Sequence, residues 1–132
     1  MITIAQVLRL NALSCIAFGL IFLLMPTTIT HFLSQSEPMP MMFLLILGAG
    51  LIINGLHLII TSLKTSPKRN LILYFSVGDF LWVVFSLTLI LTQTWITTTE
   101  GIMAALFISV LVGGFGSLQL LKINGNQSTD AR

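Results

Sequence analysis

Four long apolar runs, separated by short polar stretches, dominate the pattern of hydrophobic and polar positions along the chain. The runs lie at 4–25, 41–63, 71–92 and 101–121. Each is long enough to cross about 30 Å of hydrocarbon as an α-helix, and none alternates in polarity as a barrel strand would. The pattern predicts an all-α integral membrane four-helix bundle, up-down-up-down, over residues 1–123, followed by a flexible tail at 124–132.

Composition excludes the soluble classes of protein. Charged residues make up 8% of the 132 residues, against about 25% in an ordinary soluble domain. Hydrophobic residues make up 55% and the mean hydropathy is +1.01. Polar groups are therefore too few to cover a soluble surface, and the chain is too apolar to be disordered. Nucleic acid is not an expected partner, since no basic patch with interleaved aromatic residues occurs.

The distribution of basic residues predicts an orientation. With Arg9 set aside as intramembrane, one face of the bundle carries five basic residues: Lys64, Lys68, Arg69, Lys122 and Arg132. The opposite face carries no Lys or Arg, only Glu37 and Glu100. Basic residues collect on the cytoplasmic side of membrane proteins, so we expect both termini to be cytoplasmic. The lipid bilayer is then the first partner, with its anionic headgroups against the basic face.

Polar side chains gather at one depth inside the predicted bundle. Asp79, Asn54 and Asn11 lie roughly 20 Å below the outer ends of their helices, at a rise of 1.5 Å per residue. Arg9 and His57 lie roughly 24 Å below those ends. An unpaired Asp or Arg at a helix centre costs about 2.5–3.5 kcal/mol, so such residues are expected to have partners. We therefore predict an intramembrane polar cluster in the cytoplasmic half of the bundle.

Opposite charge and similar depth lead us to expect an ion pair between Arg9 and Asp79. Asn54 and His57 are three positions apart, so they share a helix face and could hydrogen-bond to that pair. Asn11 is about 200° from Arg9 around the helix, so these two side chains cannot point at the same partner. Two interpretations stay open. The cluster either binds a ligand or handles protons through Asp79 and His57, or it locks the helices together.

A stripe of small residues recurs every four positions along the fourth predicted helix: Gly101, Ala105, Ser109, Gly113 and Ser117. Small residues in register let a neighbouring helix approach closely. Gly48 and Gly55, with Gly50 between them, could form the facing surface on the second predicted helix. The stripe packs either inside one bundle or against a second copy or a partner membrane protein, and both alternatives stay open.

Motifs for ordinary catalysis are absent from the sequence. It contains no zinc-ligand spacing, nucleophile elbow, phosphate loop or CxxC pair, so an ordinary hydrolase or redox enzyme is not expected. The sequence leaves the cofactor unknown. The outer loop offers a candidate copper site formed by His31, Met39, Met41 and Met42. Thioether and imidazole groups suit Cu(I), whereas the alternative is that flexible methionines fill packing gaps.

Two stretches of the chain resemble a known family. The run VLRLNALSCIAFGLIFLLMP, with an early Arg, a glycine in mid-helix and a proline at its end, resembles the first helix of DoxX-like small bacterial membrane proteins. The run ILGAGLIINGLHLII is similar to their glycine-containing second helix. The resemblance covers these two helices and implies a bacterial cytoplasmic membrane protein. Some members of the family are accessory subunits of membrane oxidoreductases, and no catalytic residue carries over to this chain.

Three functions remain as hypotheses. The first is a non-enzymatic accessory or scaffold subunit that packs through the fourth helix. The second is a small proton- or ion-coupled transporter or channel that uses Asp79 and His57. The third is a quinone- or lipid-binding accessory of a membrane oxidoreductase, since a pocket between helices needs no sequence motif.

Overall fold

The computed structural model of the protein describes residues 3–36, 38–64 and 68–130, with residues 124–130 described by their backbone alone. This part of the chain is built from α-helices and contains no strand, which confirms the all-α prediction. The helices are α1 (Ile4–Leu24), α2 (Pro26–Leu33), α3 (Met41–Ser62), α4 (Arg69–Thr92) and α5 (Thr99–Asp130).

Four helices of the described chain are long and apolar enough to cross a membrane: α1, α3, α4 and the Thr99–Ile123 part of α5. These spans coincide with the four apolar runs of the sequence, and the protein is a multi-pass membrane protein. Helix α5 continues to Asp130, past its predicted end at 121. The flexibility expected of 124–132 stays a prediction, and residues 131–132 lie outside the described residues.

The remaining helix, α2, closes one end of the bundle. The sequence indicates only a short interfacial turn at THFL, whereas the structure has a helix of 8 residues that begins at Pro26. Proline suits a helix start because its missing N–H would have no partner there. The Leu33 carbonyl oxygen, at the far end of α2, accepts hydrogen bonds from the backbone nitrogens of Thr97 at 2.8 Å and Thr98 at 3.1 Å. The turn between α4 and α5 is thereby fastened to α2. We refer to this end as the α2 end, and to the opposite end, which holds Thr3 and Lys64, as the terminal end.

Glycines bring α1 and α3 together in antiparallel order. A Cβ built on Gly19 would lie 2.8 Å from the Gly48 carbonyl oxygen, and a Cβ on Gly55 would lie 3.1 Å from the Ala12 carbonyl oxygen. The two backbones are therefore too close for a side chain to fit between them. The sequence suggests that Gly48 and Gly55 could face the small residues of the last helix. They pack on α1 instead, because α1 supplies a glycine and an alanine at the matching positions.

The second helix pair is α4 with α5, and it meets the first pair mainly through α1 and α5. Helices α3 and α4 do not pack along each other. They touch through long side chains, with ring centroids 5.1 Å apart for His57 and Phe75 near the terminal end. Near the α2 end the ring centroids of Phe43 and Phe85 are 6.1 Å apart. Between these two contacts the helices leave a gap.

The apolar core is divided into two clusters, one on each side of the bundle's middle. The cluster at the terminal end consists of Leu8, Ala12, Cys15, Leu58 and Phe75. The cluster at the α2 end consists of Met39, Leu44, Leu89 and Ile96. The polar residues of the candidate site lie beside the first cluster.

Candidate functional site

Asp79 of α4 lies at the centre of a buried hydrogen-bond network, which we call the Asp79 network. Its Oδ2 accepts hydrogen bonds from Asn11 Nδ2 at 3.0 Å and from Gln119 Nε2 at 3.3 Å. Asn11 Nδ2 also donates to Gln119 Oε1 at 2.8 Å. All three side chains are buried, with Asp79 only 5% exposed. These bonds tie α1, α4 and α5 together inside the membrane-spanning part of the molecule.

Sequence reasoning missed two members of the Asp79 network, Gln119 and Ser76. Gln119 Nε2 donates to Ser76 Oγ at 3.0 Å, and Ser76 Oγ donates to the Gly116 carbonyl oxygen at 3.2 Å. The signal was present, since Gln119 is the only amide side chain between Glu100 and Lys122. The depth count alone does not select it, because Gln119 lies roughly 27 Å from the outer end of its helix, below the level of roughly 20–24 Å at which the other polar residues gather.

The predicted ion pair between Arg9 and Asp79 does not form in the structure. Arg9 is exposed, and its Nε donates to Ser62 Oγ at 3.4 Å. Asp79 takes its hydrogen bonds from Asn11 and Gln119. The reason is angular, because Asn11 and Arg9 point in nearly opposite directions from α1 and the Asn11 face is the one turned inward.

The two α3 residues of the predicted cluster occupy different places. Asn54 Nδ2 donates to Cys15 Sγ at 3.5 Å, and Cys15 Sγ donates to Asn11 Oδ1 at 3.7 Å. These weak sulfur bonds connect α3 to the Asp79 network. His57 is exposed and sets the edge of its ring against Phe75. Of the two residues, only Asn54 joins the network.

A cavity of about 520 Å³ lies against the Asp79 network and opens between α3 and α4. We call it the α3–α4 cleft. Its floor is formed by polar side chains of α1 and α4: Asn11, Ser14, Cys15 and Asp79. Its mouth is formed by exposed residues: Ile46, Gly50, Tyr74, Val77, Gly78 and Leu81. The mouth lies between two helices that are long and apolar enough to cross a membrane.

Two glycines lie at the opening of the cleft, where larger side chains would narrow it. Gly50 and Gly78 both line it, and a Cβ built on either residue would meet nothing within 4 Å. The ring contacts of α3 with α4 at the two ends bracket the opening. The cleft therefore lies between these two ring contacts, where both helices have a glycine.

One oxygen of Asp79 is left for the cleft. The described hydrogen bonds engage Oδ2, and none engages Oδ1. Within the described part of the chain, the one fully buried side-chain oxygen or nitrogen without a partner is Ser109 Oγ. Oδ1 is therefore not fully enclosed by protein, and Asp79 lines the cleft.

A second, apolar cavity of about 240 Å³ adjoins the cleft on the side of the α2 end. The two cavities share lining residues: Phe18, Leu47, Trp82 and Ile108. Beyond these four side chains the lining is aliphatic and aromatic, apart from Met39 and Ser86. A polar floor thus lies next to an apolar extension in the other half of the bundle.

The stripe of small residues on α5 makes contacts within the chain. A Cβ on Gly101 would lie 3.0 Å from Leu33 Cα, and Ala105 packs against the cluster at the α2 end. Ser109 is buried, whereas a Cβ on Gly113 would make an ordinary contact of 3.5 Å with Val83. At the end of the stripe Ser117 is exposed. Association of copies or partners through this stripe stays a prediction.

The candidate copper ligands are spread over surface and core. Met39 is buried in the apolar cluster at the α2 end, whereas Met41 and Met42 are exposed. The Nδ1 atom of His31 lies 2.8 Å from the Thr27 carbonyl oxygen. No group of three or more His, Cys, Asp or Glu residues that could hold a metal occurs in the described chain. The copper site stays a prediction from the sequence.

No family model, curated protein or solved structure matches the chain. The resemblance to DoxX-like proteins therefore stays a prediction from two helices. The function has to be inferred from the geometry of this chain.

Proposed function

We propose that the protein binds an amphipathic molecule of the bilayer in the α3–α4 cleft. The polar head of the molecule lies on the Asp79 network, and its apolar body lies along the mouth and the adjoining apolar cavity. A volume of about 520 Å³ is within the range of about 300–1,000 Å³ that is usual for ligand pockets. The observation that carries the proposal is a buried carboxyl group at the floor of an opening between two helices that could span a membrane.

The open oxygen of Asp79 favours binding over a purely structural role. Buried polar groups in proteins normally have all their hydrogen bonds satisfied, and carboxylates inside membranes are expensive. The Oδ2 side of Asp79 already ties three helices together through Asn11 and Gln119. If Asp79 served only to hold the helices together, no oxygen would need to remain without a hydrogen bond. A bound molecule supplies the hydrogen-bond partner that Oδ1 lacks.

The two other hypotheses remain proposals with less support. An accessory or scaffold subunit is compatible with binding, since a ligand pocket does not exclude a partner. Proton-coupled transport through Asp79 and His57 would need a connection between the two residues. His57 lies outside the cleft and contacts the rings of Tyr74 and Phe75.

For location we propose the cytoplasmic membrane of a bacterium, with both termini and the α3–α4 connection in the cytoplasm. The support is the bias of basic residues together with the DoxX-like resemblance. Cysteines introduced one at a time at Ser36 and Lys64, both exposed, test it, since the native Cys15 is buried. A membrane-impermeant maleimide added to whole cells should label the Ser36 position and spare the Lys64 position. Labelling in the reverse order would overturn this orientation.

Native mass spectrometry of the protein extracted in lipid nanodiscs tests the binding proposal. Leucine at both Gly50 and Gly78 should fill the mouth without a clash, because open space surrounds both glycines. Gly114→Leu is the matched control, since Gly114 also has nothing within 4 Å and does not line the cleft. Wild type and control should retain an adduct of small-molecule mass that the double variant lacks. Equal adducts in all three proteins, or none in wild type, would reject the proposal.

A further inference from the structure

The donors and acceptors on the floor of the cleft restrict the kind of head group that fits. We propose that the ligand is a lipophilic cation, whose positive head pairs with Asp79 and whose apolar body occupies the cleft. This inference rests on the proposed function of the cleft and adds the charge of its ligand.

Hydrogen-bond donors on the floor are almost all in use. Asn11 Nδ2 donates one hydrogen to Asp79 Oδ2 and the other to Gln119 Oε1. The Ser14 hydroxyl donates to the Leu10 carbonyl oxygen at 3.1 Å. The Cys15 thiol donates to Asn11 Oδ1. On the floor itself mainly acceptor atoms remain for a ligand, with Asp79 Oδ1 at their centre, whereas Asn54, Tyr74 and Trp82 line the cleft as further donors. The head group that fits at Asp79 is therefore one that donates a hydrogen bond or carries a positive charge.

Charge points the same way. Among the described residues that line the cleft, Asp79 is the only Asp or Glu, and none is Lys, Arg or His. Arg9, the counter-ion expected from the sequence, is exposed, and its Nε donates to Ser62 of α3. A carboxylate without a counter-ion in a low-dielectric site is costly, and a bound cation removes that cost. An anionic head would meet repulsion here and find no basic side chain to bind it.

Aromatic rings provide the second feature that a cation recognises. Phe18, Tyr74 and Trp82 all line the cleft. The face of an aromatic ring attracts a cation within about 6 Å of its centroid, most strongly for Trp, and the attraction grows when water is absent. Rings also pack well on the apolar substituents of a lipophilic cation. A carboxylate and three rings around one cavity form a site for such a molecule.

Equilibrium dialysis of the full-length protein in detergent micelles tests the proposal with two probes of opposite charge. Tetraphenylphosphonium and tetraphenylborate are nearly alike in size and shape, so their difference isolates charge. Wild type should bind the phosphonium more tightly than the borate. Asp79→Asn keeps an oxygen for Asn11 and Gln119 and should weaken phosphonium binding roughly tenfold or more. Borate binding should be unchanged or stronger.

Failure of the charge assignment can be separated from failure of the cleft. If Asp79→Asn binds both probes as wild type does, and leucine at Gly50 and Gly78 abolishes both, the cleft binds ligands and the cation proposal is wrong. If that double leucine variant binds phosphonium as well as wild type, both the cleft function and the cation proposal are wrong. Failure of wild type to bind phosphonium in preference to borate also overturns the cation proposal.

Circular dichroism and gel filtration will show whether Asp79→Asn folds. If it does not, Trp82→Leu provides a second test. The bonds of the Asp79 network do not involve Trp82, so its loss leaves that network intact. Phosphonium binding should fall several-fold while borate binding changes little, because the ring face attracts only the cation. An equal loss for both probes would mean that Trp82 offers only apolar surface and would count against the proposal.

Discussion

At the scale of single residues, the molecule holds a carboxylate in the membrane with amides and not with a cation. Asp79 Oδ2 accepts from Asn11 and Gln119, while Arg9 turns away to Ser62. Amide donors satisfy one oxygen without neutralising the charge. We expect a bound cation to stabilise the ionised form of this carboxyl group and thereby to make the cleft selective.

Removal of Gln119 should destabilise the fold. Gln119→Leu takes away a donor to Asp79, a donor to Ser76 and the acceptor used by Asn11. We expect a loss of about 1–2 kcal/mol in the free energy of unfolding, measured by titration with SDS in mixed micelles. Ser117→Ala, two positions away and exposed, should change it by less than about 0.5 kcal/mol. A Gln119→Leu protein as stable as wild type would contradict the network.

A double-mutant cycle separates the predicted ion pair from the observed network. Arg9→Gln and Asp79→Asn should be additive within about 0.5 kcal/mol, because the two side chains share no bond. Asn11→Ala and Gln119→Leu should show a coupling of about 0.5–3 kcal/mol, because the two residues are bonded directly. The readout is the same SDS titration. Strong coupling between Arg9→Gln and Asp79→Asn would indicate that the ion pair forms and would contradict the structure.

Depth along a helix was readable from the sequence, and the choice of partner was not. Counting residues put Asn11, Asn54 and Asp79 at one level, and in the structure hydrogen bonds connect Asn11 to Asp79 directly and to Asn54 through Cys15. Charge then favoured Arg9 over Asn11 as the partner of Asp79. The 200° separation of Arg9 and Asn11 meant that only one could face inward. Whether Arg9 or Asn11 faces inward depends on the rotation of α1 about its axis. The close packing of Gly19 against Gly48 sets that rotation.

At the scale of helices, the length and apolar character of each span are local properties, so the sequence predicts them. Which helices pair is decided by contacts distant in sequence. Gly48 and Gly55 could have faced any helix with small residues, and Gly19 with Ala12 makes that helix α1. Little in the sequence indicates α2, because a helix of 8 residues falls below the length at which periodicity is informative.

The contact of α1 with α3 should be intolerant of a single methyl group. In Gly19→Ala the new Cβ would lie 2.7 Å from Ile52 Cγ1 and 2.8 Å from the Gly48 carbonyl oxygen. The helices must move apart, and we expect a loss of about 1–3 kcal/mol in the free energy of unfolding. Gly50→Ala, with nothing within 4 Å, should be neutral or slightly stabilising because alanine favours helix. Equal stability of the two variants would argue against close backbone packing.

At the scale of the whole molecule, two tightly packed helix pairs meet along α1 and α5 and separate between α3 and α4. The separation places a polar floor within reach of the bilayer. This arrangement could not be read from the sequence, since Gly50 and Gly78 look like packing glycines and prove to be the residues that leave space. The proposed function depends above all on a cleft that is open to lipid.

Fluorescence quenching of Trp82 by lipids brominated in mid-chain tests that openness most directly. Trp82 lines the cleft and Trp95 packs on Phe43 in the turn after α4, so Trp95→Phe leaves a single reporter. We predict strong quenching of Trp82 in this background. Leucine at Gly50 and Gly78 should reduce it clearly, whereas Gly114→Leu should leave it unchanged. Quenching that is the same with and without the two leucines would contradict an open cleft between α3 and α4.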